Sequence, residues 1–108
     1  MENNYFGEFT SWADINSRFE IDEVEPDNVL YACYDIDGYE GSASVIFRRG
    51  RKYYYNQGSH CSCYGLENQW EPEEFSSKSK FVDYLKKTKY ITTMSSIEVQ
   101  DLIRKLEK

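Results

Sequence analysis

His60 is the only histidine of the chain, and it stands in Gly58-Ser59-His60-Cys61-Ser62-Cys63-Tyr64-Gly65 beside two of the three cysteines. Thiolate and imidazole are the ligands zinc prefers, and Cys33 from another segment would complete a set of Cys33, His60, Cys61 and Cys63. The spacing opposes that chemistry. Structural zinc sites use ligand pairs set two or more residues apart, whereas adjacent residues of an extended chain, such as His60 and Cys61, point to opposite sides. The expectation is therefore no metal and no cofactor. A cysteine nucleophile activated by His60 needs base and thiol within hydrogen-bond reach, and such pairs are generally assembled from distant segments. With no second histidine as an alternative base, no catalytic residue is assigned. Cys61 and Cys63 then read as small buried hydrophobic residues on one face of a continuing strand, and His60 is kept as a binding residue.

Two other clusters carry charge. Asp35-Ile36-Asp37-Gly38-Tyr39-Glu40 has the alternating carboxylates of a calcium loop. It is too short for an EF-hand, which needs a further ligand before the glycine and a glutamate well beyond it, so Asp37-Gly38 reads as a β-turn. Arg48-Arg49-Gly50-Arg51-Lys52 reads as a basic hairpin tip and leads directly into Tyr53-Tyr54-Tyr55. Arginine and tyrosine together are what interface hot spots favour. Arg48, Arg49, Arg51, Tyr53, Tyr55, His60 and Trp70 are thus the expected binding residues, with the acidic stretch from Glu20 to Asp27 as an alternative contact edge.

The overall charge of -6 hides a division along the chain. Residues 1 to 47 hold eleven acidic side chains against Arg18 alone, whereas residues 48 to 108 hold twelve basic and eight acidic ones. Nucleic acid is not expected as a partner, because phosphate binding needs a basic footprint. The acidic half leaves open a basic partner or mimicry of DNA. No run reaches the roughly 20 apolar residues of a membrane span, and the start lacks the basic and apolar regions of a secretory signal. The expected location is the cytoplasm, where three reduced cysteines need no disulfide partner.

The elements that position these residues are legible from periodicity. Trp12, Ile15 and Phe19 recur at helical spacing behind a Ser11 cap. Asn28 to Asp35, Ser42 to Arg48 and Lys52 to Asn56 alternate as strands joined by short glycine-bearing turns. In the first of these, Val29, Tyr31 and Cys33 are expected on one face and Leu30, Ala32 and Tyr34 on the other. Pro72-Glu73-Glu74 reads as the approach to a helix that Ser77 caps, with Phe81, Tyr84 and Leu85 on its inner face. The last helix opens with a capping box, Ser95-Ser96-Ile97-Glu98, and buries Val99, Leu102, Ile103 and Leu106. At 108 residues, with 40% hydrophobic and 17% aromatic content, the chain is expected to form one α+β domain, 1-108. Its architecture is expected to be a three- or four-stranded antiparallel meander with the N-terminal helix and two C-terminal helices packed on one face.

The run Tyr53-Tyr54-Tyr55, Gly58-Ser59-His60-Cys61-Ser62-Cys63-Tyr64-Gly65-Leu66-Glu67 and Trp70-Glu71-Pro72 resembles a stretch of small uncharacterised proteins of bacteriophages and bacterial mobile elements. The resemblance spans about 20 residues and implies a phage-type accessory protein, with no catalytic role carried over. The function expected is therefore non-enzymatic: a phage-encoded protein that binds and modulates, or inhibits, a host protein. Two further readings stand beside it. One is a small-molecule binder or minor enzyme using the His60/Cys61 turn; the other is a zinc-stapled interaction module.

Overall fold

The period-two segments become the long central strands of one five-stranded sheet, and each helix covers a face that would otherwise leave aromatic side chains in water. The computed structural model describes residues 4–61, 65–88, 91 and 93–107. In chain order these form β1 (Tyr5–Gly7), α1 (Trp12–Phe19), β2 (Asn28–Asp37), β3 (Glu40–Arg49), β4 (Lys52–His60), β5 (Glu73–Phe75), α2 (Lys78–Thr88) and α3 (Ser96–Leu106). The strands lie in sequence order; β1 pairs parallel to β2, and the other three pairings are antiparallel. The α+β meander expected from the sequence is present, extended by a short strand at each edge. Pro72-Glu73-Glu74 leads into edge strand β5 and not directly into a helix, which corrects that expectation.

The helices do not all share one face. Tyr31, Cys33, Ile46, Tyr53 and Tyr55 form one apolar cluster with Phe81, Leu85, Val99, Leu102 and Leu106 of α2 and α3. Ala32, Tyr34, Ala43, Val45 and Phe47 form a second with Trp12, Ile15 and Phe19 of α1, together with Phe9 and Leu66. Alternation along a strand sends these two sets to opposite sides of the sheet. The single helical layer expected from the sequence is corrected accordingly. Helices on one face alone would expose Val45 and Phe47, each of which stabilises the fold by about 1.5–3 kcal/mol when fully buried.

A bulge in β2 assigns the side chains to these layers. Val29 opposes Phe47 and Tyr31 opposes Ile46, so Leu30 is an extra residue on the β2 side. Leu30 and Tyr31 both join the α2/α3 layer, while Val29 joins Ala32 and Tyr34 under α1. Strict alternation placed Val29 with Tyr31; the inserted residue moves it to the other face.

The caps follow the sequence. Ser11 accepts from the Asp14 N–H, Ser77 from the Lys80 N–H, and Ser95 with Glu98 makes both bonds of its capping box. Helix α1 ends on Glu20, a non-glycine residue at φ 55° whose N–H bonds back to Asn16 and Ser17. Among the described residues no helix is long and apolar enough to cross a membrane.

Candidate functional site

His60 ends β4 with both ring nitrogens engaged. Nδ1 lies 2.9 Å from the Cys61 carbonyl oxygen, which can only accept, so Nδ1 carries a proton. In that tautomer Nε2 is the acceptor, and it accepts a hydrogen bond from the Tyr34 hydroxyl at 2.5 Å. The bond crosses β3 above Gly41, where a Cβ would stand 2.3 Å from Nε2 and 2.9 Å from the Tyr34 ring. Glycine at 41 is what allows the two side chains to meet. The Arg18 guanidinium carbon sits 5.5 Å from the centre of the Tyr34 ring. Burial pushes the Tyr34 phenol pKa up; Arg18 pulls against it, and Glu8 and Glu67 add to the rise. Tyr34 is therefore a neutral hydrogen-bond donor and not an activated nucleophile.

The Cys33 thiol is held apart from this pair. Cys33 packs under α2 and α3, whereas His60 bonds to Tyr34 on the α1 face, so the two cannot converge on one metal ion. Burial also raises the Cys33 thiol pKa, which opposes thiolate formation. Strand β4 ends at His60 and Cys61 beyond it is exposed, which corrects its expected burial; Cys63 lies outside the described residues. Among the described residues no group of three His, Cys, Asp or Glu side chains is arranged to hold a metal ion.

The basic tip and the acidic stretch expected as rival contact surfaces are joined to each other. Arg49 donates to the Val24 carbonyl at 2.5 Å and lies over the rings of Trp12 and Phe47. The Gly50 N–H donates to Asp27, also at 2.5 Å, and Arg48 folds back onto the Gly50 carbonyl. Arg51 is exposed at the turn, and Lys52 pairs with Glu74. Tyr53 and Tyr55 are core residues, 8% and 7% exposed, beneath α2. Tyr54 is the half-exposed tyrosine of the run; it stacks on Phe47 and donates to Glu74. Trp70 is half-buried, stacked on Phe47 and edge-on to Trp12 and Phe19. The structure thus brings the expected binding residues into packing contacts and leaves Arg51 as the most open of them.

A different surface stands free at the opposite end of the sheet. Asp35, Ile36, Asp37, Gly38, Tyr39 and Glu40 form the β2–β3 hairpin tip, and all six are exposed. The pairing with β1 stops at Tyr34 and that with β4 stops at Gly41, so the hairpin runs past its neighbours. Tyr39 is 81% exposed and Ile36 is 47% exposed, among three carboxylates and no basic residue. Sequence reasoning read this segment as a turn and overlooked it as a surface. The available signal was Ile36, an apolar residue flanked by two aspartates on a strand that had already supplied both core faces.

No protein-family model matches the chain, and neither a curated protein nor a solved structure matches it significantly.

Proposed function

We propose that this is a non-enzymatic binding protein that docks a protein partner through the Asp35–Glu40 hairpin tip. The partner presents a basic surface. One observation carries the reading: a ribbon extending beyond the sheet displays tyrosine and isoleucine within a patch of three like charges. Tyrosine is enriched at interfaces because it adds large contact area and a hydrogen-bonding tip, and an acidic rim steers a basic partner into register. The occupied nitrogens of His60 and the raised Tyr34 and Cys33 pKa values support a binding role over a catalytic one. On the resemblance of residues 53 to 72 to phage proteins, the partner is a host protein of the bacterial cytoplasm, and the effect of binding is to modulate it.

The test is affinity capture from bacterial lysate with the wild-type chain and with the double variant I36S/Y39S in parallel. Both changes lie on exposed positions and leave the core intact. A partner retained by the wild type, lost from the variant and eluted by raised salt supports the proposal. Equal retention by both proteins contradicts it.

A further inference from the structure

A groove of about 390 Å³ runs between edge strand β1 and helix α3, within the roughly 300–1,000 Å³ common for small-ligand sites. Its floor is apolar, lined by Phe6, Leu30, Tyr31, Met94 and Leu102. The bulge in β2 builds that floor. Because Leu30 is the inserted residue, it and Tyr31 both face the α2/α3 layer, where strict alternation would have turned one of them away. Phe6 lies against Tyr31, with ring centres 5.5 Å apart, yet it is 46% exposed. Leu30 and Met94 are half-buried, so the floor stays open to solvent.

The rim is charged on the α3 side. Glu98 and Asp101 line it one turn apart, with Lys105 a turn further on. Glu98 engages the Ser95 N–H through Oε1 in the capping box, a bond that leaves its negative charge in place. That charge reaches the floor: burial is the main cause of the raised Tyr31 phenol pKa, and the Glu98 carboxylate adds to the rise. Asp101 pairs with Arg104 at 3.6 Å, but both side chains are more than half exposed, and such a pair contributes little.

We propose that this groove binds a small primary amine carrying an apolar arm, an arylalkyl- or alkylammonium ion. The charge selects the head group. An anion would meet two carboxylates against one ammonium, and a neutral head would forgo the attraction that both carboxylates offer. An ammonium pairs with Glu98 or Asp101 while its arm covers Phe6, Leu30 and Met94, and the π face of the exposed Phe6 ring attracts the cation as well. The groove shares no residue with the Asp35–Glu40 hairpin, and the outcome at one leaves the other unaffected.

The experiment is a titration of the uniformly labelled chain with phenethylammonium, 2-phenylethanol and phenylacetate, read by amide chemical shifts. These probes share a ring and differ in the charge of the head group. Phenethylammonium is expected to move the amides of Phe6, Leu30, Tyr31, Glu98, Asp101 and Leu102 together. It is also expected to bind about tenfold more tightly than the alcohol or the acid, which corresponds to about 1.4 kcal/mol. The variant E98Q/D101N keeps both side-chain shapes and the capping box, and is expected to abolish that preference. Should it not fold, F6A on the exposed edge strand is expected to weaken amine binding. The proposal is overturned if phenethylammonium leaves these amides unmoved, if the alcohol or the acid binds as tightly, or if a folded E98Q/D101N or F6A binds as the wild type does. Tighter binding of a capped dipeptide of lysine and phenylalanine than of the free amine would overturn it too.

Discussion

His60 Nε2 accepts a hydrogen bond of 2.5 Å from the Tyr34 hydroxyl across strand β3, over the bare Cα of Gly41. Three strands are thereby tied together at the end of the sheet from which the Asp35–Glu40 hairpin projects. The pair fixes the position of the hairpin's base, and a histidine hydrogen-bonded at both ring nitrogens suits that role better than general-base work.

Gly41→Ala therefore destabilises the protein by about 1–3 kcal/mol, the usual cost of overpacking. The added methyl meets the imidazole first, so the loss is smaller when His60 is already alanine. A double-mutant cycle by denaturant unfolding checks this, with a coupling of at least about 0.5 kcal/mol expected for residues in contact. Additive losses would show that the two residues do not meet.

Alkaline pH weakens the fold. Burial is the first cause of the raised phenol pKa of Tyr31, Tyr34 and Tyr84, each above the ordinary 10.0. The folded chain favours their neutral forms, so their contribution is complete below the unfolded value and is lost as pH rises through the folded values. Tyrosinate absorbance and circular dichroism followed together are expected to show these tyrosines ionising as the structure melts. Full ionisation with the fold intact would contradict the burial argument.

The same sheet separates two thiols. In the native protein an alkylating reagent modifies exposed Cys61 and spares Cys33, which reacts only under denaturing conditions. Peptide mapping after a brief exposure to iodoacetamide reads the outcome; native labelling of Cys33 would contradict its place under α2 and α3.

Much of this arrangement is legible in the chain. The alternation of Ala43, Val45 and Phe47 with Ser44 and Ile46, the Ser95–Glu98 capping box and the stripe of Val99, Leu102 and Leu106 specify their elements locally. The bulge at Leu30 is not legible, because one inserted residue leaves the composition of the strand unchanged while reversing Val29. Strands β1 and β5 span three residues each, too few for a period to register, and their pairing is set by tertiary contact. The binding residues were the least legible part. Arginine and tyrosine next to each other suggest a surface, but Tyr53 and Tyr55 face inward because α2 needs a floor, and Arg49 is drawn onto Trp12 and the Val24 carbonyl. The bond from the Glu71 N–H to Asn56 Oδ1 arises only once residues 65 to 71 close over β4.

Glu20 marks a place where the backbone demands what the side chain resists. Its left-handed conformation at the end of α1 favours glycine, so Glu20→Gly is expected to raise stability by about 0.5–1 kcal/mol despite the added freedom of the unfolded chain. Thermal unfolding reads the sign, and a lower Tm would contradict the assigned cap.

Amide hydrogen exchange on the complex with a captured partner tests the central claim most directly. New protection is predicted at Ile36 to Glu40, with no change at Arg48 to Lys52 or at Glu20 to Asp27. Protection confined to the basic tip or the acidic stretch, with the hairpin exchanging as in the free protein, would contradict the account.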